Sequence, residues 1–309
     1  MKEVGILLFL LKKNDFYVII SASLRGEVMR SPIEKYSQII DMAEDGYNFQ
    51  EIVRESDYSK SELLLALNKL ITTDLKLPYH IKFNLTQEYL NNLSFANFGG
   101  KKTIIISDTH LASIYENLDY IEKTKQFIDD NNIKYLLHGG DIGDGMVECS
   151  KKYSTHERQV SHILDIYPEF EHCKQYLLGG NHDRRYKDKN MDILKLLEEK
   201  KNIENIGYYQ AYFKLFDKLI SFEHNSLMNK SEFLDIDFTI LGHAHNLYFR
   251  NQKMKLAPLC DCFMDSTNAN AGFVIMSSKK QKKDVELSFD CYNISDNEIS
   301  KVKTRKYII

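Results

Sequence analysis

The chain has 309 residues, 43% of them hydrophobic and 28% charged, with a net charge of -3. These are ordinary values for one large globular domain or two smaller ones, and they exclude a largely disordered chain. The near-neutral balance also excludes a generally basic surface, so any polyanion has to be held by a local site.

The first apolar run, "VGILLFLL" (Val4 to Leu11), is too short to span a membrane and is not followed by a small-residue cleavage site. With five scattered cysteines, an odd number that makes no disulfide framework, the chain reads as cytoplasmic. "GILLFLL", the turn "KKND" and "FYVIIS" predict a β-hairpin. "SPIEKYSQIIDMAEDG" then predicts an amphipathic helix that opens on Ser-Pro and closes on glycine, with Tyr36, Ile39, Ile40 and Ala43 on its apolar face.

A short helix over Phe49 to Arg54 follows, then a longer one capped by Ser59 or Ser61 with Leu63, Leu64, Leu67, Leu70 and Ile71 inward. An extended stretch, "YHIKFNLT", comes next, and together these elements are similar to a helix-turn-helix of the winged type. The other reading is a helical module that packs on a domain or a partner chain. Residues 1–95 carry 11 Lys and Arg against 13 Asp and Glu, which weakens DNA binding because cations supply most of the affinity for phosphate.

"NNLSFANFGGKK" (Asn91 to Lys102) marks a domain boundary, giving a helical module over 1–95 and a second domain over 96–309. Beyond it, strand-like runs alternate with helical patterns ("LDYIEKTKQFIDD", "HERQVSHILDIY", "MDILKLLEEK"), the signature of a layered α/β domain. "SSKKQKKD" reads as a hairpin turn between late strands. The segments from "MKLAPLC" to "DVELSFDCYNI" read as strands completing a second sheet, with "FMDSTNANAG" as a loop near the pocket. Cys260 and Cys262 fit alternating strand positions facing one core better than a metal site.

Five of the apolar runs end in metal-competent side chains. "TIIIS" leads to Asp108 and His110, "YLLHGG" to Asp141 and Asp144, and "YLLGG" to Asn181, His182 and Asp183; "LISFE" leads to His224 and "FTILG" to His243 and His245. Ligand sites in α/β sheets lie beyond the carboxyl ends of strands, so five such ends describe one pocket. Carboxylate, amide and imidazole donors without thiolate suit hard or borderline divalent ions. Seven donors, Asp108, His110, Asp141, Asn181, His224, His243 and His245, suit two ions sharing a carboxylate. His138, inside an apolar run, reads as a packed strand residue, and His80, His156, His162 and His172 as surface or core.

The ordered set "SDTH", "GGDIGDG", "GGNHD", "EH" and "GHAH", spanning about Lys101 to Met276, resembles the calcineurin-like metallophosphoesterase superfamily. The resemblance implies an αββα two-sheet sandwich with a binuclear centre of Mn, Fe or Zn. It assigns Asp108, His110 and His245 to one ion and Asn181, His224 and His243 to the other, with Asp141 bridging them. It also implies in-line attack on phosphorus by a hydroxide between the ions, with His182 as the acid for the leaving oxygen and Asp144 orienting it.

The protein serine/threonine phosphatases of the superfamily have arginine where this chain has Gly145 and glutamate where it has Asp183, which moves the expected substrate away from phosphoproteins. The cation for the substrate phosphate then has to come from elsewhere, with Arg184 and Arg185 as candidates and His156 and Arg158 within reach of the pocket mouth. A phosphodiesterase acting on nucleotides or nucleic acid is expected. The alternative is a DNA-binding or partner-binding regulator whose metal domain serves as sensor or platform.

Overall fold

The computed structural model of the chain describes residues 7–13, 16–22, 32–56, 58, 63, 66–67, 70–71, 77–92, 97–225, 235–261, 270–295 and 298–309. It forms two compact units, Met1–Ser56 and Asp57–Ile309. In the first unit β1 (Leu7–Lys13) and β2 (Phe16–Ala22) pair antiparallel as the expected hairpin. Helix α1 (Pro32–Glu44) starts at its proline and buries Tyr36, Ile39, Ile40 and Ala43, the expected face. Helix α2 (Phe49–Glu55) is closed by a capping box. The Asn48 side chain accepts from the backbone N–H of Gln50 and Glu51, and Glu51 accepts from that of Asn48 at 2.8 Å.

In the second unit Leu63, Ala66, Leu67, Leu70 and Ile71 are helical and buried, as the expected third helix requires; Ser59, Ser61 and Leu64 lie outside the described residues. The stretch expected to be extended is instead helix α3 (Tyr79–Asn92). Ile81, Phe83 and Leu85 read as strand alternation. The buried set, however, is Ile81, Leu85 and Tyr89, four residues apart, with Phe83 exposed, and Pro78 offers its carbonyl to Lys82 N–H at the helix start. The winged reading thereby loses the strand it required.

Two sheets carry the rest of this unit. The larger has the order β14-β13-β12-β3-β4-β5-β6, from strands β3 (Thr103–Ile106), β4 (Tyr135–His138), β5 (Lys174–Gly179), β6 (Ile203–Tyr208), β12 (Gly272–Gln281), β13 (Asp284–Ile294) and β14 (Ile299–Ile308). The smaller runs β10-β11-β9-β8-β7, from β7 (Gln210–Leu215), β8 (Lys218–Glu223), β9 (Phe238–Leu241), β10 (Tyr248–Arg250) and β11 (Lys253–Lys255). Strands β3 to β6 are parallel, and β3, buried along its whole length, is covered on both faces. Its Ile104 and Ile106 belong to the core with Ile128, Ile163 and Leu197 of helices α4 (Leu118–Asp130), α5 (His156–Ile166) and α7 (Ile193–Glu198). Its Ile105 belongs to the core between the sheets with Phe213, Phe222, Ile240 and Phe289.

This is the mixed α/β, two-sheet architecture expected for a metallophosphoesterase sandwich. One sheet assignment differs: β12 and β13, expected in a second sheet, extend the first, because β12 pairs antiparallel with the free edge of β3, while among the described residues after His245 β10 and β11 join the smaller sheet. Their turn falls within "SSKKQKKD", as expected. Cys260 is buried beyond β11 rather than in a strand; Cys262 and most of "FMDSTNANAG" lie outside the described residues.

Candidate metal centre

The seven expected ligands follow the ends of β3, β4, β5, β8 and β9 and meet in one place. Their loops are laced by backbone bonds: Asp108 N–H donates to Gly140 O at 2.9 Å, His110 N–H to Asp141 O at 3.1 Å, and Gly242 N–H to Glu223 O at 2.8 Å. Asp108, His110, Asp141, His243 and His245 all have positive φ, between 42° and 61°. Non-glycine residues rarely take this conformation. It turns the chain sharply enough to aim neighbouring side chains at a common point, and such strain collects at functional sites. Gly180 permits the closest approach: a Cβ there would lie 2.1 Å from Asp141 Oδ1 and 2.7 Å from His224 Nε2.

Asp108, His110 and His245 form one group and Asp141, His224 and His243 another. In the first, His245 Nε2 lies 3.2 Å from Asp108 Oδ1 and 3.2 Å from His110 Nε2. In the second, His224 Nε2 is 3.0 Å from Asp141 Oδ2 and 3.1 Å from Asn181 Oδ1. Asp141 Oδ2 is also 3.9 Å from His110 Nε2, so one carboxylate oxygen faces both groups. His224 Nδ1 lies 2.7 Å from Gly139 O; a carbonyl only accepts, so Nδ1 carries a proton in either charge state and Nε2 points inward.

The donors fit divalent ions electrostatically as well. Asp108 and Asp141 are at most 1% exposed, and no lysine or arginine bonds either among the described residues. Burial works to raise both carboxyls, yet the surrounding imidazoles hold them below the ordinary range. The Asp141 charge and hydrogen bond, opposing burial, push His224 up to about 9, while burial takes His110 down to about 4. One imidazolium thus supplies the positive charge that two buried carboxylates demand, and a cation bound by the same atoms answers the same demand.

His182 stands beside these groups. Its Nδ1 donates to Asp144 O at 2.6 Å, and its Nε2 is 3.8 Å from Asp141 Oδ2. Asp144, expected to meet His182 through its carboxylate, meets it through its main chain: the carboxylate accepts instead from Ser150 Oγ at 2.7 Å and Val147 N–H at 3.2 Å. Arg184 and Arg185 lie on α6 (Asn181–Lys187), with Arg184 Nε bonded to Asp188 at 2.9 Å. His156 packs edge-on to Tyr186, their ring centroids 6.0 Å apart, at the start of α5. His138 is the packed strand residue expected: Nδ1 accepts from Gly140 N–H at 3.2 Å, Nε2 faces Thr109 Oγ1 at 3.1 Å, and burial lowers it to about 3.

Sequence reasoning missed the residues that hold the loops in place. Buried Asp183 accepts from the N–H groups of Gly180 at 2.8 Å, Gly143 at 2.9 Å and Ile142 at 3.1 Å, so it ties the second motif to the third. Burial and the Asp141 charge raise its carboxyl to about 6. Glu116 joins Ala112 N–H, Lys152 and His162, linking the loop after β3 to α5. Asp183 carried a signal in its place after Asn-His; Glu116 carried none, because Lys152 and His162 are far away in sequence.

With this geometry in hand, the class is defined: a two-sheet α/β domain whose strand ends converge on paired carboxylate–imidazole groups. Residues 101–256, half of the chain, match the calcineurin-like phosphoesterase family model, and the chain belongs to that family of metal-dependent phosphoester hydrolases. No curated protein sequence matches it. Solved structures similar to it include Vps29 of Chaetomium thermophilum (12% identity, 67% of this chain and 97% of that one, TM-score 0.40). Others are the calcineurin-like phosphoesterase YfkN of Bacillus subtilis (9%, 67% and 90%, 0.32) and a Mycoplasma pneumoniae phosphatase (10%, 68% and 93%, 0.28). Among the described residues no helix is long and apolar enough to cross a membrane.

Proposed function

We propose that the chain is a phosphodiesterase acting on nucleotide esters with two divalent ions, Mn foremost. The observation that carries the two-ion centre is Asp141 Oδ2, which faces both ligand groups from 3.0 and 3.9 Å; the nucleotide substrate is the reading that the Gly145 and Asp183 departures from the protein phosphatases favour. On this reading Asp108, His110 and His245 hold one ion, Asn181, His224 and His243 the other, and Asp141 both. Bound there, the ions supply Lewis acidity for the phosphoryl oxygens and lower the pKa of water for in-line attack.

His182 holds the proton for the leaving oxygen. Its Nδ1 is engaged by the Asp144 carbonyl, which leaves Nε2 as the atom that gives the proton up. Asp144 is then a positioning residue. Arg185 supplies the cation for the substrate phosphate in place of an arginine at position 145. Gly145 has φ +67°, and a Cβ there would lie 2.4 Å from His182 O and 3.0 Å from Arg185 Cδ, so the Arg185 stem already fills the space beside it. Arg184, three residues after Asn181, is paired with Asp188 and meets a second anionic group only by sharing or leaving that pair, and His156 stands behind Tyr186 as support.

The test is turnover of bis-nitrophenyl phosphate, cyclic nucleotides, and single- and double-stranded oligonucleotides with Mn added. Hydrolysis of the small diesters is expected. Cleavage of oligonucleotides alone would make the protein a nuclease, and hydrolysis of none of them by the metal-loaded protein would favour the sensor or platform reading.

A further inference from the structure

His182 is oriented by a peptide group. Its Nδ1 donates to Asp144 O at 2.6 Å, and the other end of the same peptide, Gly145 N–H, donates to Tyr186 Oη at 2.9 Å. The Tyr186 hydroxyl donates onward to Gln159 Oε1 at 2.5 Å. Tyr186, on α6, and Gln159, on α5, are both 0% exposed, so these bonds are screened from bulk water. Every bond in the series runs the same way, from His182 to the peptide, to Tyr186, to Gln159. A group that donates becomes a better acceptor, so each link strengthens the one before it.

Gln159 is fixed in turn. Met146 N–H donates to its Oε1 at 3.1 Å, and its Nε2 donates to Ala112 O at 3.2 Å, which ties α5 to the loops after β3 and β4. The space is equally close: a Cβ at Gly143 would lie 2.7 Å from Tyr186 Cε2, and one at Gly145 would lie 2.4 Å from His182 O. Packing alone would be met by phenylalanine at 186 and an apolar side chain at 159. A hydroxyl and an amide are costly to bury unless bonded, and the bonds of this pair converge on the peptide that holds His182.

We infer that Tyr186 and Gln159 are positioning residues for His182: through the Asp144–Gly145 peptide they hold its Nδ1–H and so aim Nε2 at the leaving oxygen. This rests on the reading of His182 as the acid.

The experiment pairs steady-state kinetics with proton NMR on the full chain. Tyr186→Phe keeps the ring and removes the acceptor for Gly145 N–H. It is expected to lose about tenfold in kcat on alkyl esters, a part of what the acid itself supplies, and far less on nitrophenyl esters, with metal content unchanged. In a His182→Ala background the same change should cost alkyl-ester turnover nothing more, because a residue that acts through His182 then has nothing to orient. In the metal-free protein the His182 Nδ1–H resonance, identified by its loss in His182→Ala, should move upfield in Tyr186→Phe. That of His224, bonded to Gly139 O, should stay in place. Gln159→Met, which removes the acceptor for the Tyr186 hydroxyl, should give the same pattern with a smaller loss and serves if Tyr186→Phe folds poorly. Equal losses on the two ester classes, an unmoved His182 resonance, or an undiminished effect of Tyr186→Phe in the His182→Ala background overturns the positioning role. If His182→Ala itself loses both ester classes equally, the acid reading falls and this inference with it; a split in His182→Ala with none in Tyr186→Phe overturns this inference alone.

Discussion

At the scale of single residues, the candidate centre is built from conformations that L-amino acids avoid. Left-handed backbone at Asp108, His110, Asp141, His243 and His245 costs on the order of 1–3 kcal/mol each, borne by the packed strands beneath. Because Asp141 faces both ligand groups, Asp141→Asn is expected to lose bound metal; a full complement by elemental analysis would refute the shared-ligand role. His182 belongs to neither of the two proposed metal groups, so His182→Ala should keep the metal. It should lose about a hundredfold or more in kcat on alkyl esters, whose leaving oxygen needs a proton, and far less on nitrophenyl esters. Steady-state kinetics on the two ester classes decide it, and equal losses would remove the acid role.

At the scale of elements, the loops are positioned by buried polar clamps. Glu116, its side chain 4% exposed, holds the segment after β3 to Lys152 and to His162 of α5. Burial works against its ionisation, but the Lys152 and Ala112 hydrogen bonds outweigh that and hold the carboxyl below its usual 4.5. A lowered folded value means that the stabilisation is present above the unfolded value and is lost as pH falls through the folded one. Glu116→Gln is therefore expected to cost about 1–2 kcal/mol at pH 7 and progressively less as the pH is taken down below 4.5, measured by urea unfolding across that range. The stretch that forms helix α3 reads as extended in the sequence for a related reason. Alternation over three apolar residues cannot distinguish period two from period four until Tyr89 extends the series, and it is Tyr89 that packs edge-on to Tyr212 of β7.

At the scale of the whole molecule, two buried carboxylates surrounded by imidazoles make folding and metal binding interdependent. Free metal at a hundred times its Kd would stabilise the protein by about 2.7 kcal/mol. Chelation should thus lower Tm by about 5–10 °C in calorimetry, and re-addition of Mn should restore it. An unchanged Tm would mean that the site binds no ion of consequence. The sequence alone determined which strand-end donors meet in one place, because a strand terminus and the donors that follow it lie within a few residues of one another. It also determined the α/β alternation, the hairpin and the packed role of His138. Only the tertiary structure decided which sheet β12 and β13 join, that Asp144 meets His182 through its carbonyl, and that Asp183 and Glu116 are clamps. Each of those depends on groups brought together from distant parts of the chain, and residue order carries local spacing while leaving such meetings to the packing of the strands.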